Sequence, residues 1–242
     1  MEFPISITVL CIAYGVVFIG AVLQGSLGFG LGTFAVPLLV LLNPILVPGP
    51  LLFLAFFLAI LIYRREKAAV KTQDLKWGIM GRFLGTVAGA LLLVIVPSEY
   101  FPPMVGLFVL LSLLFLSSGY RVRLTPRNLI SVGTLSGLMG TTAAIGGPPL
   151  AMLYYDQKGP RIRGTLSGIF IFGTISALIA LTFLGRFGRD EMIISLSLLP
   201  AILFGFVVSR HSAAFLDRGY IRPTILTVSG IAALITIIEH FV

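Results

Sequence analysis

Apolar residues in this chain fall in long unbroken runs, with polar and charged residues confined to the gaps between them. Hydropathy marks runs at about 5 to 23, 34 to 42, 51 to 63, 77 to 96, 103 to 120, 128 to 139, 148 to 155, 164 to 184, 192 to 208 and 224 to 242. Most approach the roughly 17 to 25 residues that span a bilayer, and they lack the one-sided stripe of a helix that faces water. They predict transmembrane helices. Two are too short to span: at ~1.5 Å per residue the run 34 to 42 covers only about 14 Å, and 148 to 155 covers less. Each short run follows a glycine-rich stretch, Gln24 to Thr33 in the first half and Gly140 to Pro149 in the second. Each pair predicts an interrupted or re-entrant segment. Open backbone at membrane depth persists only where protein buries it or water reaches it, so a cavity is implied.

Composition agrees. Hydrophobic residues make up 57% of 242 and charged residues 11%, with a mean hydropathy of +1.07, against about 25% charged in a soluble domain. The formal charge of +8 raises nucleic acid as a partner. The basic residues lie in short loops with no soluble domain to present them, which excludes that reading. Cys11, the only cysteine, lies inside an apolar run and carries no redox meaning. Glu2 stands where a leader would carry Lys or Arg, and no small-x-small cleavage site follows, so the first run reads as a retained membrane segment.

The loop charges set a topology. Loops 64 to 76 (Arg64, Arg65, Lys67, Lys71, Lys76), 121 to 127 (Arg121, Arg123, Arg127) and 209 to 222 (Arg210, Arg218, Arg222) are basic and read as cytoplasmic. Loop 97 to 102 holds only Glu99, and 185 to 191 is mixed; both read as outside. Loop 156 to 163 is basic again (Lys158, Arg161, Arg163), so residues 128 to 155 must leave the cytoplasm and return to it as a hairpin. The same logic puts both termini outside, and residues 70 and 215 on one membrane face.

The two glycine-rich stretches align at an offset of 112, with Gly25 on Gly137, Gly28 on Gly140, Pro37 on Pro149 and Leu38 on Leu150. Three long runs follow each. The expected architecture is therefore an all-α integral membrane protein of two inverted-topology repeats, 1 to 120 and 121 to 242, each a glycine-broken or re-entrant segment followed by three transmembrane helices. In such folds substrate binds near the midplane, where discontinuous helices meet. The first run, about 28 Å long, is long enough to cross alone, which leaves open whether the first broken segment is a full span or a hairpin.

Half-helices starting near Thr33 and Gly146 would aim unpaired N–H groups and a partial charge of roughly +0.5 each at one point, a site for a small anion. Gly28, Gly30, Gly32, Gly140, Gly146 and Gly147 would let backbone approach the ligand, and Pro148 suits a first turn. Gln24, Ser26, Thr33, Thr141 and Thr142 are the polar side chains at the breaks and could donate to oxyanion oxygens, Thr141 and Thr142 standing closest. Helix packing by small residues and capping of opened backbone are the plainer readings of the same residues. Phe29 and Leu31 interrupt the first glycine run and narrow any pocket there. On this reading, bulky replacements at Gly30 or Gly147 abolish transport.

The Gly28-Phe29-Gly30-Leu31-Gly32 break leading to Pro37-Leu38-Leu39, the Gly146-Gly147-Pro148-Pro149-Leu150 break, the basic stretch before Gly81, Gly85 and Gly89, and Arg163-Gly164-Thr165 at a helix start together resemble the TauE/SafE family of membrane anion exporters over nearly the whole chain. The resemblance implies export of sulfite, sulfoacetate or related organosulfonates.

Arg82 lies one turn or more inside a predicted span, where charge is costly and often functional. Five residues beyond Trp77, it reads as snorkelling toward the cytoplasm, so conservative changes there should matter less than changes at the breaks. Gly81, Gly85 and Gly89 form a packing stripe at i, i+4 and i+8. All nine carboxylates fall in loops or near run ends, so no intramembrane acid marks a coupling path, and the coupling ion, proton or sodium, stays open. His211 and His240 lack metal-binding spacing. No catalytic residue, metal site or cofactor is expected. A membrane scaffold without transport activity is the alternative reading, homo-oligomerisation is open, and the expected partners are a small anion and the lipid bilayer.

Overall fold

The computed structural model describes residues 4–119, 122–154, 156–157, 159–216, 229–235 and 238. Helix α1 spans Ile7–Leu27, α2 Leu31–Leu42, α3 Gly49–Glu66, α4 Thr72–Ile95, α5 Phe101–Ser117, α6 Pro126–Ala143, α7 Gly147–Leu153, α8 Gly159–Phe183 and α9 Arg189–Leu216. Among the described residues no strand occurs, and six helical stretches are long and apolar enough to cross a membrane. The last apolar run, together with Arg218, Arg222, Asp217, Glu239 and His240, falls largely outside the described residues.

Local chemistry fixes the helix ends. Ser6 caps α1 by accepting from the Val9 N–H at 3.3 Å, and Thr125 caps α6 by accepting from Asn128 at 3.3 Å, with Pro126 in the first turn. α1 ends on Gly28 at φ 90°, whose N–H bonds the Gln24 carbonyl at 2.8 Å, and Gly30 at φ 127° starts α2. Both angles favour glycine. α6 ends on Ala144, left-handed at φ 58°, with N–H bonds from Ala144 to Gly140 O (2.9 Å) and from Ile145 to Met139 O (3.2 Å) closing the turn.

The breaks are therefore narrower than the sequence suggests. The first covers residues 28 to 30, so α2 starts at Leu31 rather than Thr33. The second covers residues 144 to 146, so Gly140, Thr141 and Thr142 are helical rather than unwound, and α6 extends four residues past the expected 139. Small size and β-branching lowered the apparent helicity of this stretch, but packing against α4 overrides that preference.

That packing is close. A Cβ on Gly81 would overlap the Ile130 carbonyl, one on Gly85 would overlap the Thr134 carbonyl and lie 2.7 Å from the Gly137 Cα, and one on Gly89 would lie 3.0 Å from the Leu138 carbonyl. Residue numbers rise together along the contact, so α4 and α6 run parallel. α1 and α9 pack in the same sense: a Cβ on Gly25 would overlap Ser209, and one on Gly205 would come 2.6 Å from the Ala21 Cβ. The opposite face of α4 exposes Met80, Phe83, Leu84, Val87, Leu91, Val94 and Ile95. A helix with glycine inside and large apolar residues outside suits lipid as its solvent.

Polar contacts concentrate at the basic end of the bundle. Glu66 accepts from Arg65 Nε at 3.0 Å and Arg163 Nε at 2.9 Å. Arg163 also donates to the Ser26 carbonyl at 3.1 Å, and Arg65 donates to the Gly25 carbonyl and to Ser209 Oγ at 3.1 Å. Two arginines thus cover the last carbonyls of α1, the negative end of its dipole. Asp74 pairs with Arg161 at 2.8 Å nearby.

Candidate functional site

Arg82 sits ten residues into the 24-residue α4, about 15 Å from its start, close to mid-depth. Its side chain does not snorkel. The residue is 2% exposed, and its Nη1 donates to both the carbonyl and the hydroxyl of Ser136 on α6 at 2.6 Å. Snorkelling fails because position 82 shares the face of Gly78, Gly85 and Gly89, which α8 and α6 cover between them, so the side chain has no open path along the helix surface.

Glycines make room for the guanidinium. A Cβ on Gly140 (α6), on Gly146 (the second break) or on Gly173 (α8) would overlap it. Phe170 supplies a ring 5.3 Å from the guanidinium carbon, a cation–π contact. Ser136 Oγ in turn donates to the Gly146 carbonyl at 2.5 Å, tying the second break to the level of Ser136. The glycines at 140 and 146 thus serve the arginine rather than a turn, since Gly146 has an ordinary φ of −92°.

The two breaks meet beside Arg82. A Cβ on Gly32 would overlap the Ala144 carbonyl, and one on Gly147 would come 2.7 Å from the Phe29 Cβ. Between them lies a cavity of about 30 Å³, above the roughly 10–15 Å³ that a single water requires. Its lining comes from the first break (Gln24, Gly30, Gly32, Thr33), the second (Ala144, Ile145, Gly146, Gly147) and Arg82, with Leu52, Ala55, Phe170 and Thr174 as walls. Arg82 Nε and Thr33 Oγ1 are buried without a hydrogen-bond partner. Pro37, inside α2, also withholds the N–H that would bond the Thr33 carbonyl.

Among the described residues no carboxylate pairs with Arg82, because Glu66 and Asp74 are engaged by Arg65, Arg163 and Arg161. A buried guanidinium with neutral neighbours makes the cavity electropositive, suited to an anion. No group of three or more potential metal ligands occurs among the described residues.

Of the residues expected at the site, Gln24, Gly30, Gly32, Thr33, Gly146, Gly147 and Arg82 line this cavity. Gly140 packs against the Arg82 guanidinium without lining the cavity, and the others lie elsewhere. Thr141 Oγ1 donates to Thr86 Oγ1 at 3.2 Å in the α4–α6 contact, and Thr142 Oγ1 donates to the Leu138 carbonyl of its own helix at 2.8 Å. Ser26 Oγ bonds the Val22 carbonyl at 2.8 Å, Gly28 faces Arg163, and Pro148 is buried in the first turn of α7. Sequence reasoning missed Ser136, Phe170, Gly173 and Thr174. The signal was helical spacing: Ser136 is one turn before Gly140, and 170, 173 and 174 share one face of α8.

Neither a curated protein nor a solved structure matches the chain. The family profile of the sulfite exporter TauE/SafE matches it over residues 13–236, nearly its full length. With its multi-pass apolar helices and a cavity lined by a buried arginine, the chain belongs to the TauE/SafE sulfite exporter family, whose members are membrane transporters rather than enzymes.

Proposed function

We propose that this protein is a secondary exporter of a compact anion, sulfite or a short organosulfonate, held at mid-membrane between Arg82 and the two helix breaks. The observation that carries the reading is Arg82, 2% exposed, lining the cavity with no carboxylate beside it among the described residues. A bound oxyanion supplies the missing negative charge and acceptors for the unpartnered Arg82 Nε and Thr33 Oγ1. The N-terminus of α2, twelve residues long, adds its unpaired N–H groups at Gly32 and Thr33. The second break contributes less backbone, because Pro148 and Pro149 withhold two first-turn N–H groups of α7.

The surrounding framework is two inverted repeats, 1 to 120 and 121 to 242. Support comes from the matched packing: Gly137 meets α4 as its counterpart Gly25 meets α9, both helix pairs running parallel. Loop charge then puts the basic end, with Arg65 and Arg163, at the cytoplasm, and both termini outside.

The test is thermal denaturation of the purified protein across a sulfite and an alkanesulfonate series, alongside Arg82→Gln and Arg82→Lys. Stabilisation follows RT ln(1 + [L]/Kd), about 2.7 kcal/mol at a ligand concentration of about 100 Kd. Arg82→Gln should lose the response while its ligand-free stability does not fall, since the variant removes a buried charge that lacks a counter-ion. An undiminished sulfite response in Arg82→Gln sinks the site.

A further inference from the structure

We infer that transport runs as obligate anion exchange, in which the carrier reorients only when an anion sits against Arg82. The inference rests on the binding site proposed above and concerns what happens after the anion leaves. Every described group around the guanidinium is neutral: Ser136 at 2.6 Å, the Phe170 ring at 5.3 Å, and the glycines at 140, 146 and 173. The remaining cavity walls are neutral as well.

A carrier that returns unloaded needs some way to keep this charge from being carried alone through a dry, occluded state. Carriers with an internal carboxylate have one, because the acid pairs with the cation whenever substrate is absent. Here no carboxylate among the described residues is available for that exchange of partners. Glu66 is shared by Arg65 and Arg163, and Asp74 is held by Arg161, all at the basic end. Neither do the three small-residue contacts leave space for a long acidic side chain to swing in, since even a Cβ at 140, 146 or 173 overlaps the arginine.

A lone charge in an occluded, low-dielectric site is strongly disfavoured, whereas a guanidinium paired with a monoanion is neutral and hydrogen-bonded. The loaded carrier therefore crosses its barrier much faster than the unloaded one. The substrate serves as the counter-ion for its own transporter, and an anion from the opposite side must replace it before the next half-cycle.

Proteoliposomes containing the full chain and loaded with labelled sulfite test this directly. External buffer holds either unlabelled sulfite or gluconate, a bulky anion, with chloride absent and the membrane potential clamped by potassium and valinomycin. Release into sulfite should exceed release into gluconate by at least about tenfold, a difference of roughly 1.4 kcal/mol in barrier. Equal release into both buffers, with sulfite still stabilising the protein and Arg82→Gln inactive, overturns exchange while leaving the binding site standing. Sulfite that neither stabilises the protein nor is released overturns both.

Discussion

At the scale of single residues, Arg82 illustrates how depth and face carry different information. Its distance from Trp77 invites a snorkelling reading, yet the periodicity that makes Gly81, Gly85 and Gly89 a packing stripe already puts position 82 beside that stripe and away from the lipid-facing Phe83, Leu84 and Val87. Face outweighs depth, because a side chain pinned under a neighbouring helix cannot reach water. The glycines at 140 and 146 were legible as important but not as partners of an arginine, since their contact comes from tertiary packing 58 and 64 residues away in the chain. Their role is testable. Gly173→Ala inserts a methyl into the guanidinium while leaving an ordinary helical backbone, so the anion response should weaken tenfold or more with helicity by circular dichroism unchanged. Gly15→Ala, with nothing within 4 Å of its Cβ, should leave the anion response unchanged and not lower stability. Arg82→Lys keeps the charge but loses the planar fork that engages Ser136 and Phe170, so it should bind anion more weakly than the parent.

At the scale of helices, the two devices that hold the site are the glycine seam between α4 and α6 and the ionic clasp at the end of α1. The seam was visible in α4 from sequence alone. Its partner was not, because the i, i+4 pattern identifies a small face without naming what covers it. Gly85→Leu forces the helices apart at the Thr134 carbonyl and Gly137, and overpacking of this kind typically costs about 1–3 kcal/mol; thermal denaturation in detergent measures it. The clasp depends on Glu66, an acceptor shared by Arg65 and Arg163. Glu66→Gln leaves two partly buried arginines without a charge partner, and residual solvent screening reduces the usual penalty of a broken buried pair to about 1–3 kcal/mol. Because the arginines also cover the Gly25 and Ser26 carbonyls, the loss should appear first as faster hydrogen exchange at the end of α1.

At the scale of the molecule, the order of apolar runs anticipates the helices from α1 to α9 and the loop charges predict a handedness, but neither says how far α6 travels before the chain turns back. By length alone α6, at 18 residues and about 27 Å, nearly crosses. A full crossing would put Arg123 and Asp156 on opposite membrane faces. The bond from Ser136 Oγ to the Gly146 carbonyl instead returns the chain, ten residues later, to a level already passed, and α7 then continues toward the basic end. Arg123 and Asp156 should therefore lie on the same face as Lys71, and Glu99 and Asp190 on the other. All five side chains are exposed, so single cysteines there are accessible to an impermeant maleimide once the exposed Cys11 is replaced. Labelling in right-side-out cells should reach positions 99 and 190 and require permeabilisation at 71, 123 and 156. If 156 labels with 99, α6 is a full span, the second break enters from the opposite face, and the inverted repeat that places both breaks at one anion site is lost. The 112-residue offset by itself could not exclude that outcome, since a repeat in sequence is silent about which side of the membrane each copy enters.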